Sequence, residues 1–139
     1  MQERVSKTEI QAMLKRVIST DELKFAEDDL VYGPSAGGKL KDLCDEAGGK
    51  LLTDFEKPTE YDILQFSCHT MDKTVAKNSM IHFDLTYLKD VEGMLNNVGP
   101  YKDKITAGEL RYIYEHWSSF SKNVKFYYYE MEVLPPWEE

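Results

Sequence analysis

The chain has 139 residues, of which 42% are hydrophobic and 30% are charged, and its formal net charge is −8. This length and composition are typical of one globular domain with an ordinary core, and they exclude a disordered chain. Because nucleic-acid binding depends on clustered Lys and Arg, 25 acidic residues against 17 basic ones argue against a broad surface of that kind. The two cysteines are too few for a disulfide framework and are predicted to be reduced. No apolar run approaches the ~20 residues that span a bilayer, so no membrane partner is expected.

The first third of the chain is predicted to be mainly helical. Residues 8–18 open with a capping box and then follow the helical spacing of apolar residues. Residues 19–22 repeat the capping pattern and predict a short second helix. A brief strand is expected at 30–32, and another helix around 40–47, where Gly48 and Gly49 stop it.

The remaining elements alternate between helices and strands. A long helix is predicted from about residue 59 to 77, the clearest strand at 80–86, and a short helix at 91–95. A further helix begins at Thr106, and residues 124–134 predict a strand or hairpin. Because the helices concentrate early and the surest strands late, we predict an α+β fold rather than a doubly wound parallel sheet. In this fold, N-terminal helices are followed by a small antiparallel sheet packed against helices.

The strand at 80–86 has two distinct sides. Its apolar side, together with the helix after Thr106, predicts a shared core of Ile81, Phe83, Leu85, Leu110, Ile113 and Trp117. Its other side carries His82, Asp84 and Thr86, which could present a general base, a carboxylate and a hydroxyl to one substrate. The same alternation arises on the solvent-facing side of a half-buried strand, which is the commoner origin of such a pattern.

The helix after Thr106 carries two further candidates. Glu109 stands three residues after Thr106, so a capping box accounts for it. The spacing of Arg111 and Glu115 predicts an ordinary i, i+4 ion pair, but the planar fork of Arg111 could also hold a phosphate or carboxylate.

Two other patterns have ordinary explanations. Gly33 to Lys39 matches the spacing of a phosphate-binding loop. However, Leu40 stands where such a loop needs a hydroxyl to hold magnesium, and the residues before Gly33 do not resemble the buried strand that should precede the loop. A flexible turn before a helix is therefore favoured. Residues 127–129 are three tyrosines, which suit a strand with aromatics on both faces better than a base-stacking surface.

Metal binding is not predicted. Cys68, His69, His82 and His116 could form a dispersed metal site, but nothing in their spacing requires one. The sequence therefore predicts neither a metal nor any other cofactor.

Residues 47–137 resemble the variable C-terminal toxin domains of bacterial polymorphic toxins of the Rhs and contact-dependent inhibition types. The blocks that carry the resemblance are Glu46–Lys50, Phe66–Asp72, Ile81–Thr86, Ile105–Ile113 and Val133–Trp137. The block that ends in Arg111-Tyr112-Ile113 is the most specific of them. The chain departs from the family at two turns, since Asn78-Ser79-Met80 replaces a Gly-Gly-Lys turn and Tyr129-Glu130 replaces an Asn-Gly turn.

On this basis residues 1–139 are interpreted as a single domain with a helical N-terminal part at 1–45 and a toxin-like region at 46–137. The resemblance implies an effector domain, exported as the tip of a larger polypeptide, that acts in the cytoplasm of a neighbouring cell. It also implies a cognate immunity protein as partner. Toxin domains of this kind are commonly nucleases.

The specific hypothesis is metal-independent cleavage of an RNA substrate. His82 would act as general base or acid, and Arg111 would steady the phosphate. Asp84, Thr86 and Glu109 would orient groups around them. The acidic charge supports an alternative, in which the chain is a non-catalytic binding protein, either an immunity-type partner or a domesticated inactive relative.

Overall fold

The computed structural model describes residues 12, 14–33, 39–86 and 88–138, and every structural statement below concerns these residues. The strands are β1 (Val17–Ser19), β2 (Leu30–Tyr32), β3 (Lys50–Leu51), β4 (Ile81–Asp84), β5 (Val124–Tyr128) and β6 (Met131–Val133). The helices are α1 (Lys39–Ala47), α2 (Ile63–Ala76), α3 (Val91–Asn96), α4 (Ile105–Glu115) and α5 (Trp117–Phe120), with a 3-10 turn at Leu52–Asp54.

The strands form one mixed sheet in the order β1-β6-β5-β4-β2-β3. The predicted α+β class is confirmed, but the predicted antiparallel sheet is wrong for its central part. Strands β3, β2, β4 and β5 are parallel to one another. Strand β6 pairs antiparallel with both β5 and β1. The connection from β4 to β5 contains α3, α4 and α5, and such a long crossover is what allows two strands to pair in parallel.

The predicted N-terminal helices differ most from the structure. Most of the predicted helix at 8–18 lies outside the described residues, but its last two residues belong to β1. The predicted helix at 19–22 is absent from the described chain, where residues 20–26 form no regular element. Val17 pairs with Val133 of β6, so tertiary hydrogen bonding and the β-branched side chains override the local helical pattern.

The main core lies on one face of the sheet. Here Phe83, which is 0% exposed, packs between Tyr32 and Phe126 of the two neighbouring strands. Helices α2 and α4 cover this face. Of the predicted core residues, Ile81, Phe83, Leu85, Leu110 and Ile113 are buried in this cluster and Trp117 packs against it, so the predicted core is confirmed.

A second, smaller core covers the opposite face. Val31 packs there against Leu40 and Leu43 of α1, with Phe25 from the preceding segment. Because both faces are covered, all three residues of β2 are buried, as is usual for a parallel strand inside an α/β sheet.

The order of the parallel strands creates a crevice at their carboxyl ends. From β2 the chain passes through α1 to β3 on one side, whereas β4 lies on the other side of β2. Gly33, directly after β2, lies so close to the end of β4 that an added Cβ would stand 2.9 Å from the carbonyl oxygen of Asp84. Ligands of open α/β sheets bind at such a reversal of strand order.

The turn between β5 and β6 is strained. It consists of Tyr129 and Glu130, whose φ angles of 47° and 63° are left-handed. A two-residue hairpin turn favours Asn and Gly at these positions, because other residues bring Cβ too close to the following carbonyl oxygen.

Replacing Glu130 by Gly is therefore expected to raise the free energy of unfolding by about 1 kcal/mol. Urea unfolding would measure the gain. Glu130→Ala is the matched control, since it removes the same exposed carboxylate but keeps the Cβ, and it should give no comparable gain. Equal gains in both variants would assign the effect to charge rather than to the backbone.

Candidate active site

A cleft of about 330 Å³ opens at the carboxyl ends of β4 and β5, between α1 and the β5–β6 turn. We refer to it as the edge cleft. Its lining consists of Leu23, Asp42, Leu43, Glu46, Asp84, Thr86, Tyr127, Tyr129 and Glu130. The edge cleft is thus next to the reversal of strand order between β2 and β4, on the carboxyl edge where open α/β sheets bind ligands.

Asp84 and Thr86, two of the predicted site residues, line the edge cleft. Oδ1 of Asp84 accepts hydrogen bonds from the backbone N–H of Thr86 at 3.0 Å and from its hydroxyl at 2.5 Å. The Thr86 hydroxyl in turn accepts from the backbone N–H of Tyr129 at 2.8 Å. These bonds fix the β5–β6 turn to the end of β4. Burial raises the pKa of Asp84 despite the two bonds from Thr86.

His82 lies deeper, in a row of hydrogen bonds that we call the Asp29–His82–Tyr127 relay. Its Nε2 is 2.8 Å from Oδ2 of Asp29, and its Nδ1 is 2.7 Å from the hydroxyl of Tyr127. The ring of Phe25 stacks on the imidazole, with centroids 3.8 Å apart and planes 12° apart. His82 is consequently only 4% exposed.

The environment of the relay determines which of its groups carry protons. Burial raises the pKa of Asp29, but hydrogen bonds from His82 and from the N–H groups of Met80 and Ala26 outweigh it, so this pKa is lowered. Burial lowers the pKa of His82, and the neighbouring Asp29 only partly opposes this effect. Asp29 is thus ionised and His82 neutral at pH 7. The imidazole donates from Nε2 to Asp29, and its Nδ1 accepts from the hydroxyl of Tyr127.

The predicted polar side of β4 is therefore covered rather than solvent-facing. His82 and Thr86 are each 4% exposed, because α1 and the segment containing Phe25 lie over this face. The solvent-facing interpretation is wrong for these two residues. Asp29 and Tyr127 were not among the predicted residues, since nothing in the spacing of the sequence links them to His82.

Glu109 lies on the opposite face of the sheet. Helix α4 begins at Ile105 after Lys104, so Thr106 does not cap it, and the predicted capping box is wrong. The carboxylate of Glu109 instead accepts a hydrogen bond from the buried hydroxyl of Ser67. Burial raises the pKa of Glu109 to about 7, and the bond from Ser67 opposes this shift.

Arg111 also lies away from the edge cleft. Its guanidinium donates to the carbonyl oxygens of Met94 at 2.7 Å and Lys102 at 3.1 Å, and so ties the connection between α3 and α4. Of the predicted site residues, the structure brings together His82, Asp84 and Thr86. It places Glu109 and Arg111 on the helix that covers the other face, so His82 and Arg111 share no cleft.

The remaining sequence patterns fall outside the edge cleft or outside the described residues. β2 confirms the strand predicted at 30–32, and its burial removes one argument against the phosphate-loop spacing, but residues 34–38 of that spacing are not described. Tyr127 and Tyr128 are each 3% exposed within β5, as expected for a strand with aromatics on both faces. Within the described ranges, no three His, Cys, Asp or Glu side chains group closely enough to hold a metal ion.

The two cysteines are free, as predicted. Burial, together with nearby carboxylates, raises the pKa of the Cys44 thiol to about 11. Burial and the charge of Glu109 raise the pKa of Cys68 to about 12. Both thiols are therefore protonated and weakly nucleophilic at neutral pH.

Comparison with protein-family models, with curated proteins and with solved structures found no match to this chain. Among the helices that the structure describes, none is long and apolar enough to cross a membrane.

Proposed function

We propose that this chain is an effector domain of the polymorphic-toxin type that it resembles, and that the edge cleft is its active site. The observation that carries the proposal is the convergence of His82, Asp84 and Thr86 with Tyr127, in which Asp84, Thr86 and Tyr127 line the edge cleft and His82 lies behind Tyr127. The first three belong to one of the sequence blocks on which the resemblance rests. Parallel α/β sheets bind their ligands at this edge.

The proposed activity is metal-independent cleavage of RNA. In such a reaction a base takes the proton of a ribose 2′-hydroxyl, whose oxygen attacks the adjacent phosphorus, and an acid protonates the 5′-oxygen that leaves. The neutral imidazole of His82, paired with the ionised Asp29, is the base. Asp84 is the acid, because burial raises its pKa and helps it to retain a proton.

Replacing Asp84 by Asn is expected to slow RNA cleavage about 100-fold, since the amide keeps the hydrogen bonds from Thr86 but cannot donate a titrating proton. The assay incubates the purified domain with total bacterial RNA in excess EDTA. Asp103→Asn, the same change at an exposed residue between α3 and α4, should leave the rate unchanged. Intact RNA with the wild-type domain would reject the nuclease activity.

Growth of bacteria that express the chain tests the effector role separately. Expression is expected to arrest growth, and co-expression of a cognate immunity protein is expected to restore growth. Asp84→Asn should abolish the arrest and Asp103→Asn should not. Normal growth with the wild-type chain in every host tested would favour the second candidate function.

That second candidate is non-catalytic binding to a basic protein. It is favoured by the charge of the edge cleft, whose lining contains four carboxylic acids, Asp42, Glu46, Asp84 and Glu130, and no Lys or Arg. Such a surface attracts a cationic partner and repels phosphate. The double variant Asp42→Asn/Glu46→Gln would weaken binding of such a partner and reduce its dependence on salt.

A further inference from the structure

We propose that His82 acts on substrate only through Tyr127, whose hydroxyl carries the proton between the edge cleft and the buried imidazole, while Asp29 positions that imidazole. This inference rests on the proposed function, since it names the path by which the base of the same site works. It makes Tyr127 a catalytic residue and Asp29 a positioning residue.

Burial leaves His82 without direct access to substrate. The stacked ring of Phe25 covers one side of the imidazole, and the side chains of Asp29 and Tyr127 occupy its two nitrogens. His82 is not among the residues that line the edge cleft, whereas Tyr127 is. A base must come within roughly 3 Å of the proton it takes, or reach it through one water, whose place a side-chain hydroxyl can take. Tyr127 is the group in that position.

The proton transfer balances without any further reactant. As the substrate hydroxyl attacks, its proton forms a bond to the oxygen of Tyr127. The bond between that oxygen and the original phenolic proton breaks, and this proton bonds to Nδ1 of His82. The imidazole becomes an imidazolium, whose Nε2–H already donates to the ionised Asp29. Once Asp84 has protonated the leaving oxygen, the two transfers reverse, and the proton that Tyr127 releases passes through cleft water to the Asp84 carboxylate, so that the relay and the acid both return to their starting states.

A concerted transfer also agrees with the charges around Tyr127. Burial, with the carboxylates of Glu132 and Asp29 nearby, raises the pKa of Tyr127, so a free phenolate is disfavoured. No phenolate forms when the hydroxyl gains one proton as it loses another. The positive charge instead appears on His82, 2.8 Å from Asp29, where it is stabilised.

The Tyr127→Phe variant tests the catalytic part of the inference. It removes one oxygen and keeps the ring in the sheet, and it is expected to slow RNA cleavage by at least about 100-fold. Tyr128→Phe is the matched control, because Tyr128 is the next residue of β5, equally buried, on the opposite face. It should retain the wild-type rate. A Tyr127→Phe variant as active as wild type would overturn the inference and leave the proposed function standing.

Nitrogen-15 NMR of the labelled imidazole of His82 tests the hydrogen bonds of the relay independently of activity. The wild-type domain is expected to show protonated Nε2 and unprotonated Nδ1 at pH 7, with the Nδ1 resonance shifted in Tyr127→Phe. Asp29→Asn is expected to lower the pKa of His82, a change that a purely space-filling role would not produce. A proton on Nδ1 in the wild type would overturn the relay. A wild-type domain that shows the expected tautomer but cleaves no RNA would overturn the proposed function, and with it the transfer step.

Discussion

Replacing Phe83 by Ala is expected to lower the free energy of unfolding by about 3–5 kcal/mol. Phe83 is fully buried in a strand that has parallel partners on both sides. Its ring lies 6.2 Å from that of Tyr32 and 5.8 Å from that of Phe126, measured between centroids. Removing the ring leaves a cavity that strands fixed by hydrogen bonds on both sides cannot close.

Urea unfolding followed by the fluorescence of Trp117 and Trp137 would measure this loss. Phe55→Ala is the matched control, because Phe55 packs at the margin of the same cluster and is only partly buried, so its loss should be smaller. A change below about 1 kcal/mol for Phe83→Ala, the size of a surface effect, would contradict the core described above.

Replacing Glu109 by Gln is expected to stabilise the protein above pH 7. The folded-state pKa of Glu109 is about 7, against an ordinary value of 4.5, so the folded chain binds a proton that the unfolded chain releases. The wild type therefore loses stability as the pH rises from about 4.5 through 7. The difference between the two pKa values corresponds to about 3 kcal/mol, an upper bound for the effect. Below pH 4.5 this contribution is fully present.

Unfolding curves collected from pH 4 to pH 8.5 would test this sign. The gap between Glu109→Gln and wild type should widen in favour of the variant as the pH rises. Glu115→Gln makes the same change at an exposed position on the same helix and should show no such trend. A gap that is independent of pH would show that the folded domain does not hold a proton on Glu109 near neutrality.

Patterns within a short stretch of sequence were sufficient to predict the elements that depend mainly on their own residues. The alternation in β4 predicted the buried side of the strand, and the hairpin of β5 and β6 was also predicted. The pairing of these strands was not, because a strand carries no signal for the direction of its neighbour. β1 is the clearest failure, since Val17 pairs with a residue that lies more than one hundred positions later in the chain.

The site shows the same division. The two-residue period of a strand predicts that His82, Asp84 and Thr86 lie on the same face of the sheet. It does not predict their burial, because burial depends on a helix and a loop that pack over them. Asp29 and Tyr127 lie 53 and 45 positions from His82, and only the order of the strands brings them together. The spacing of Thr106 and Glu109 predicted a capping box, but the same Glu can also accept a buried hydrogen bond, as Glu109 does from Ser67.

The place of β5 in the sheet determines when the protein can fold during its synthesis. β5 is an interior strand that contributes Phe126 to the main core, yet it is the next-to-last strand of the described residues. A nascent polypeptide that ends before residue 124 exposes the edge of β4 and lacks one wall of its core. Tyr127, Tyr129 and Glu130 all lie beyond that point. A nascent polypeptide must therefore have been synthesised at least as far as residue 130 before the edge cleft can form.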